Sequence, residues 1–230
     1  MDVMTADASN LKSKFYLNRF RDKIRPSPHP CPLWLAIMKF EISLPDWAIA
    51  ENEKLPSHFV TLEERMAVVI RFAELNLAKD TGGPFAAGIF EKQSGKCVII
   101  GVNRVVPSSV SSAHAEIVTI SMAQQILNTF DLGGPGMPEH QLVVNARPCA
   151  MCFGSIPWSG VRSVAVGARG EQVEKITGFD EGPIHPQWQQ ELRSRGIEVV
   201  EDVLHEEAIQ VFHRFRDSGL PVYNGRLGSD

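Results

Sequence analysis

The sequence is short of cysteine, of basic excess and of long apolar runs, and each shortage removes a class of protein. Four cysteines, at 31, 97, 149 and 152, are spread over 230 residues. They are too few and too irregular for a disulfide framework and read as thiols kept reduced in the cytosol. Lys and Arg number 23 against 27 Asp and Glu, a formal net charge of −4 with a pI near 6.0. A chain built to grip phosphate backbones carries a basic excess or a basic stripe. The only basic concentration here is "KSKFYLNRFRDKIR" (Lys12–Arg25), outside the expected core. Nucleic acid is therefore not the expected partner, and a small molecule is. No stretch approaches the ~20 apolar residues that span a bilayer. "CPLWLAIMKF" (Cys31–Phe40) is short, follows "RPSPHP" and leads to no small-residue cleavage site. Asp2, Asp7 and Asp22 argue against a mitochondrial transit peptide, which avoids acids. The expectation is a cytoplasmic protein with no membrane contact.

What is present is ordinary globular material, 43% hydrophobic and 22% charged, in a chain long enough to bury a core without staples. There is no internal repeat and no low-complexity tract. Residues 1–54 read as an N-terminal extension, poorly ordered in part, with Met38 as an alternative start after a leader of residues 1–37. Residues 55–225 read as one domain. From Leu62, apolar residues recur at three and four (Met66, Val69, Ile70, Ala73, Leu77). Thr61 stands before them as N-cap, with Glu64 completing a capping-box pattern. "AAGIFE" and "KCVIIGVN" flank a "KQSGK" turn and predict a β-hairpin. Further on, helix is expected at Glu116–Leu127 and Cys149–Ser159, over "HPQWQQELRSRG" and at Val203–Ser218. Strand is expected at "QLVVNA", "VRSVAVGA" and "IEVVED". Alternating strands and helices of this kind predict a three-layer α/β/α sandwich around a five-stranded mixed sheet.

Two fragments carry chemistry: "SSAHAEIVTI" (Ser111–Ile120) and "NARPCAMCFG" (Asn145–Gly154). Cys149 and Cys152 are spaced i, i+3, so both sulfurs leave one face of a helix. They sit at its N-terminus, where free N–H groups and the helix dipole favour thiolate. Pro148 suits that entry, since it has no N–H to leave unpaired. His114 adds an imidazole. One imidazole, two thiolates and a vacant fourth position are the donor set of catalytic zinc. Glu116, two residues beyond His114, is placed to hydrogen-bond a metal-held water rather than to ligate. Such a water has its pKa lowered to ~7, so a carboxylate can take its proton. Separately, H-x-E and C-x-x-C are weak signals. Together, in this order and behind a proline, they are the signature of zinc-dependent deaminases.

At these residues the chain resembles the cytidine deaminase superfamily, and within it the bacterial guanine deaminases. Beyond the zinc motif the resemblance rests on "GGPFAA" (Gly82–Ala87), "GVNRVV" (Gly101–Val106), "MCFGSIPWSGVRSV" (Met151–Val164) and "GFDEGP" (Gly178–Pro183). It implies one Zn²⁺ per subunit and hydrolytic deamination of a free purine, guanine to xanthine plus ammonia. Alternative substrates under the same chemistry are a nucleoside, an aminotriazine such as ammeline, or adenosine in tRNA. It further implies that Asn103 holds the base edge, that Phe85 walls the base and that Ala115 contributes to substrate binding. Asp180 or Glu181 assists proton transfer, Glu181 ahead of Asp180. The tail with Tyr223 and Asn224 closes a site and is exchanged across a homodimer. Each assignment has a plainer counterpart: Asn103 as a turn cap, Phe85 as core, Asp180 and Glu181 as a solvated loop, Trp158 packed on the sheet. The chain departs from the family pattern at Arg147, where many relatives carry an acid, and at Pro157, inside the second metal helix.

Overall fold

The computed structural model describes residues 40–225; the leader, Met38, Cys31 and the Lys12–Arg25 stretch lie outside the described residues. The first element among the described residues, α1 (Asp46–Lys54), has no counterpart in the sequence-based expectation, because its apolar spacing is weak. Side-chain bonds fix it instead. The Asn52 amide accepts from Ile100 N and donates to Ile100 O, both at 2.9 Å. Trp47 donates to Thr81 Oγ1 at 2.9 Å and lies against Phe72. Leu44 and Ala48 are buried, so the packed unit reaches back across position 55, where sequence alone put its start.

Thr61 opens α2 (Leu62–Ala78) through the expected reciprocal bonds with Glu64. Met66, Val69, Ile70 and Ala73 of this helix are buried. Strands β1 (Ala86–Glu91) and β2 (Cys97–Val102) form the expected antiparallel hairpin. A single helical turn, α3 (Val105–Ser108), interrupts what sequence predicts as loop, and α4 (Ala115–Ile126) follows. Then come β3 (His140–Ala146), α5 (Ala150–Ser159), β4 (Ser163–Ala168) and α6 (Gly170–Thr177). The chain continues through α7 (Trp188–Arg193), β5 (Glu198–Val200) and α8 (His205–Ser218). Helix α6 has no counterpart in the sequence-based expectation: it begins on Gly170, stops at Gly178 and includes Val, Ile and Thr, all poor helix signals.

The sheet runs β2-β1-β3-β4-β5, with β1 antiparallel to β2 and β3, and β3, β4 and β5 parallel. This is the five-stranded mixed sheet that the sequence predicts. Strand period two divides its residues between two cores. Val143 and Phe90 pack with α2 and α8 on one face. Leu142, Val144 and Ile89 pack with Ile120 of α4, Ile156 of α5 and Leu192 of α7 on the other. β3 and β4 are buried along their whole length, as parallel strands covered on both faces must be. Trp158 corrects the expectation of a sheet-packing residue: it is 87% exposed on α5. Its position follows Ile156, which takes the inward direction on that turn.

Asn145 ties β3 to the chain entering β1. Its fully buried side chain accepts from Ala86 N at 2.9 Å and donates to Pro84 O at 3.0 Å. Asn145→Ala leaves both backbone groups unpaired in the core. The expected loss is about 2–3 kcal/mol of unfolding free energy, read as a lower urea midpoint with unchanged slope.

Candidate active site

The sheet delivers its chemistry at one end. β3 runs directly into Arg147, Pro148 and Cys149, with Arg147 N bonded to Ala168 O of the parallel neighbour at 2.9 Å. Because β1 is antiparallel to β3, the residue entering β1, Phe85, lies at that same end. Asn103, leaving β2, is bonded to Phe85 O through its N–H at 3.0 Å. Open α/β sheets place ligands beyond the carboxyl ends of their parallel strands, and the residues gathered here lie beyond that end of β3.

Two helices begin here. His114 is the N-cap residue of α4 and Cys149 that of α5, each with extended backbone. Val118 N returns to His114 O at 3.0 Å and Phe153 N to Cys149 O at 2.8 Å. The free N–H ends of both helices therefore face the same small volume, which favours anionic groups. The donor atoms of His114, Cys149 and Cys152 all lie within 4.8 Å of one another. The Cys149 sulfur is 3.5 Å from His114 Nδ1. Hydrogen bonding from Cys152 and from His114 holds the Cys149 thiol down to about 4, while its bond to Cys149 and burial push Cys152 far up. Two thiols sharing one proton beside an imidazole are a set that a soft dication satisfies better, and their chemistry fits Zn²⁺. Burial works against a charged His114, but the Cys149 sulfur, Glu116 and Glu181 raise its pKa overall.

Glu116 sits in the first turn of α4, 6% exposed, beside these donors and not among them. Burial, then the Cys149 sulfur, pushes its carboxyl up to about 7. Glu181, 8% exposed, is pushed up to about 8 by burial and by the negative charge of Cys149 and Glu116. Its carbonyl accepts from Ala150 N at 2.9 Å, which satisfies an otherwise free N–H of α5 and pins the loop to the metal helix. Asp180 is exposed; its carboxylate accepts from Gly182 N at 2.9 Å and so shapes that loop.

A cavity of about 170 Å³ opens over these groups, lined by Phe85, Asn103, His114, Glu116, Glu181 and Tyr223 among others. Asn103 is buried; its Oδ1 accepts from Val105 N at 3.2 Å, so the turn-capping role holds and leaves the amide N–H groups for the cavity. Phe85 is both wall and core, lying 5.3 Å from Phe179 and 5.4 Å from Phe212 by ring centroids. Ala115 is fully buried, and its side chain is not part of the lining. Tyr223 packs on Phe179 at 4.7 Å, with its buried hydroxyl unpartnered among the described residues. Gly83 makes room for it, since a Cβ there would sit 2.0 Å from that hydroxyl. Asn224 accepts from Asp180 N and donates to Gly178 O, both at 2.9 Å, which fastens the tail over the cavity. Phe179, Ser111 and Val105 also line the wall without a sequence signal, because only the folded sheet brings them together. Cys149→Ser and His114→Ala should each leave the protein with substoichiometric zinc and a lower melting temperature, since metal binding energy is folding energy. Elemental analysis and thermal melts measure both.

Residues 60–168 match the model of the cytidine and deoxycytidylate deaminase zinc-binding region. The guanine deaminase of Bacillus subtilis (strain 168) is 30% identical over 116 residues, which span 50% of this chain and 69% of that protein. The solved guanine deaminase from Nitrosomonas europaea is 42% identical, with a TM-score of 0.74 over 78% of this chain and 97% of that one. A structure in complex with 2,6-diaminopurine is 43% identical, with a TM-score of 0.75 over 81% of this chain and 97% of that one. With the same fold, a zinc-type donor set at the end of β3 and an unligated buried carboxylate beside it, this chain belongs to the cytidine and deoxycytidylate deaminase family.

Proposed function

We propose that this protein hydrolyses the 2-amino group of free guanine to give xanthine and ammonia, a step of purine catabolism, using one zinc ion per subunit. The observation that carries this reading is Glu116, a buried carboxyl that faces the cavity beside His114, Cys149 and Cys152 without being one of the metal donors. A structural zinc site has no use for such a group. Similarity to two guanine deaminases and to a 2,6-diaminopurine complex supports a purine over other cyclic amidines. The cavity favours a free base: an apolar cavity of about 150 Å³ holds benzene, so about 170 Å³ with an open mouth suits one planar heterocycle.

His114, Cys149 and Cys152 would hold the zinc. Bound there, it supplies a Lewis acid that lowers the pKa of water to ~7 and so provides a nucleophile near neutral pH. Glu116 takes the proton of the attacking water and returns it to ring N3, next to the carbon under attack. Glu181 donates a proton to the departing amine, while Asp180 keeps the loop in shape through Gly182 N. The Asn103 amide and the Tyr223 hydroxyl orient the ring, Phe85 packs on its face, and Ala115 acts through the backbone of the first turn of α4. The tail, fastened by Asn224, limits water at the mouth.

We further infer a homodimer joined through the outer face of α5. Trp158 is 87% and Phe130 85% exposed, and Met151 and Ile126 are exposed too. Leu132 N bonds to Ser159 O at 2.8 Å, which sets the Phe130 segment beside the end of α5. α5 has no charged residue, so two copies of this face meet without repulsion and isologously. A cytoplasmic location fits the free thiols, and no described helix is long and apolar enough to cross a membrane.

Ammonia release from guanine, cytosine, guanosine, adenosine, ammeline and a tRNA anticodon stem tests the substrate. Turnover of guanine is the expected result, and release from tRNA alone overturns it. Glu116→Gln should retain zinc and lose at least about 100-fold in kcat; full activity in that variant rules out the proton shuttle. Trp158→Glu should shift the mass found by light scattering from dimer to monomer, and a wild-type monomer refutes the interface.

A further inference from the structure

Asn76, on α2, is fully buried and is not itself part of the cavity lining. Its amide nevertheless joins the two segments that form one side of that wall. Nδ2 donates to Gly83 O at 2.8 Å and to Asn103 O at 3.0 Å. Gly83 leads through Pro84 to Phe85, whose carbonyl accepts from Asn103 N at 3.0 Å; Phe85 and Asn103 both line the cavity. The approach is close: a Cβ on Gly82 would fall 2.0 Å from Asn103 O and 2.6 Å from Asn76 Nδ2. The direction of the amide is set from behind. Trp47 Nε1 donates to Thr81 Oγ1 at 2.9 Å. An indole N–H can only donate, so the hydroxyl accepts there and has one proton to give. Asn76 Oδ1, at 2.8 Å, is nearer to it than Asn76 O, at 3.4 Å. A relay of hydrogen bonds thus begins on α1 and ends at Asn103.

We propose that Asn76 is a positioning residue for substrate recognition that acts through Asn103. Its amide, aimed by the Thr81 hydroxyl, holds the Asn103 backbone so that the Asn103 side chain presents its N–H groups to the base edge. This rests on the reading of the protein as a deaminase of guanine. Asn103 stands one residue past the end of β2, which lies at the border of the sheet. The strand ladder therefore leaves its carbonyl unclaimed, and Asn76 takes it. Groups that bind substrate keep their geometry only when a second set of contacts locks them, and Asn76 supplies that lock from the core.

A double-mutant cycle separates positioning from plain stability, because Asn103→Ala removes the side chain and keeps the carbonyl that Asn76 holds. Asn76→Ala alone should raise KM for guanine about 10-fold, with kcat changed less than about twofold and zinc content unchanged. In the Asn103→Ala background the same change should add less than about twofold to KM. Thr81→Val should raise KM by a smaller factor, whereas Thr81→Ser, which keeps the hydroxyl, should retain the wild-type value. Equal losses in both backgrounds, or a loss confined to kcat and melting temperature, would make Asn76 only a staple of the core and overturn the proposal. If Asn76→Ala does not fold, Thr81→Val combined with Asn103→Ala supplies the same cycle, and a wild-type KM in Thr81→Val then overturns it. A wild-type protein without turnover of guanine refutes the guanine reading together with this one. Turnover with additive losses refutes this one alone.

Discussion

The meeting of two helix N-termini at the carboxyl end of one buried strand is the constraint on which the site depends. α4 and α5 both start there, so their unpaired N–H groups converge on His114, Cys149 and the first turn that bears Glu116. That convergence stabilises negative charge. It also concentrates more of it than the volume can hold: two thiols and two carboxyls lie together with little solvent, and their proton affinities spread apart as a result. A dication would resolve the conflict by replacing protons, which would couple metal binding to folding. The same crowding separates the roles of the carboxyls. One is fixed on a helix turn, and the other rides on a loop whose backbone caps the second helix.

Much of this was legible in the chain, for identifiable reasons. The metal donors announced themselves through short-range spacing, which a helix converts directly into common direction. Thr61 and Glu64 announced α2 because a capping box is a local device that needs no tertiary partner. The hairpin and the parallel strands followed from period and turn residues. Failures came where local signals were weak and distant contacts decided. α1 is held by Asn52 and Trp47 reaching residues 48 and 34 positions away. α6 is framed by glycines that sequence reads as breakers, yet one of them exists to admit the Arg147 side chain. Trp158 reads from sequence as packed on the sheet, and only the neighbouring inward Ile156 shows that its direction is outward.

The cavity wall shows the same limit from the other side. Phe85, Asn103, Phe179 and Tyr223 are far apart in sequence and meet only once the sheet has closed. Asn76 illustrates how tightly the pieces are joined: its buried amide donates to both Gly83 O and Asn103 O, at 2.8 and 3.0 Å. That one side chain fixes the glycine over which Tyr223 passes and the asparagine that lines the cavity. The cavity wall therefore inherits the rigidity of the core beneath it.

The two ends of the sheet are finished in different ways. β5 is three residues long and offers little template for another chain. β2 is longer and lies at the opposite border, and there the Asn52 amide occupies both the N–H and the C=O of Ile100. A side-chain amide has the same donor and acceptor as a peptide group, so Asn52 imitates one residue of a strand that is not there. Open borders of this kind recruit foreign strands and seed aggregates. By filling the middle of that border from a helix, the chain protects itself against fibril-like self-association at the cost of a single asparagine.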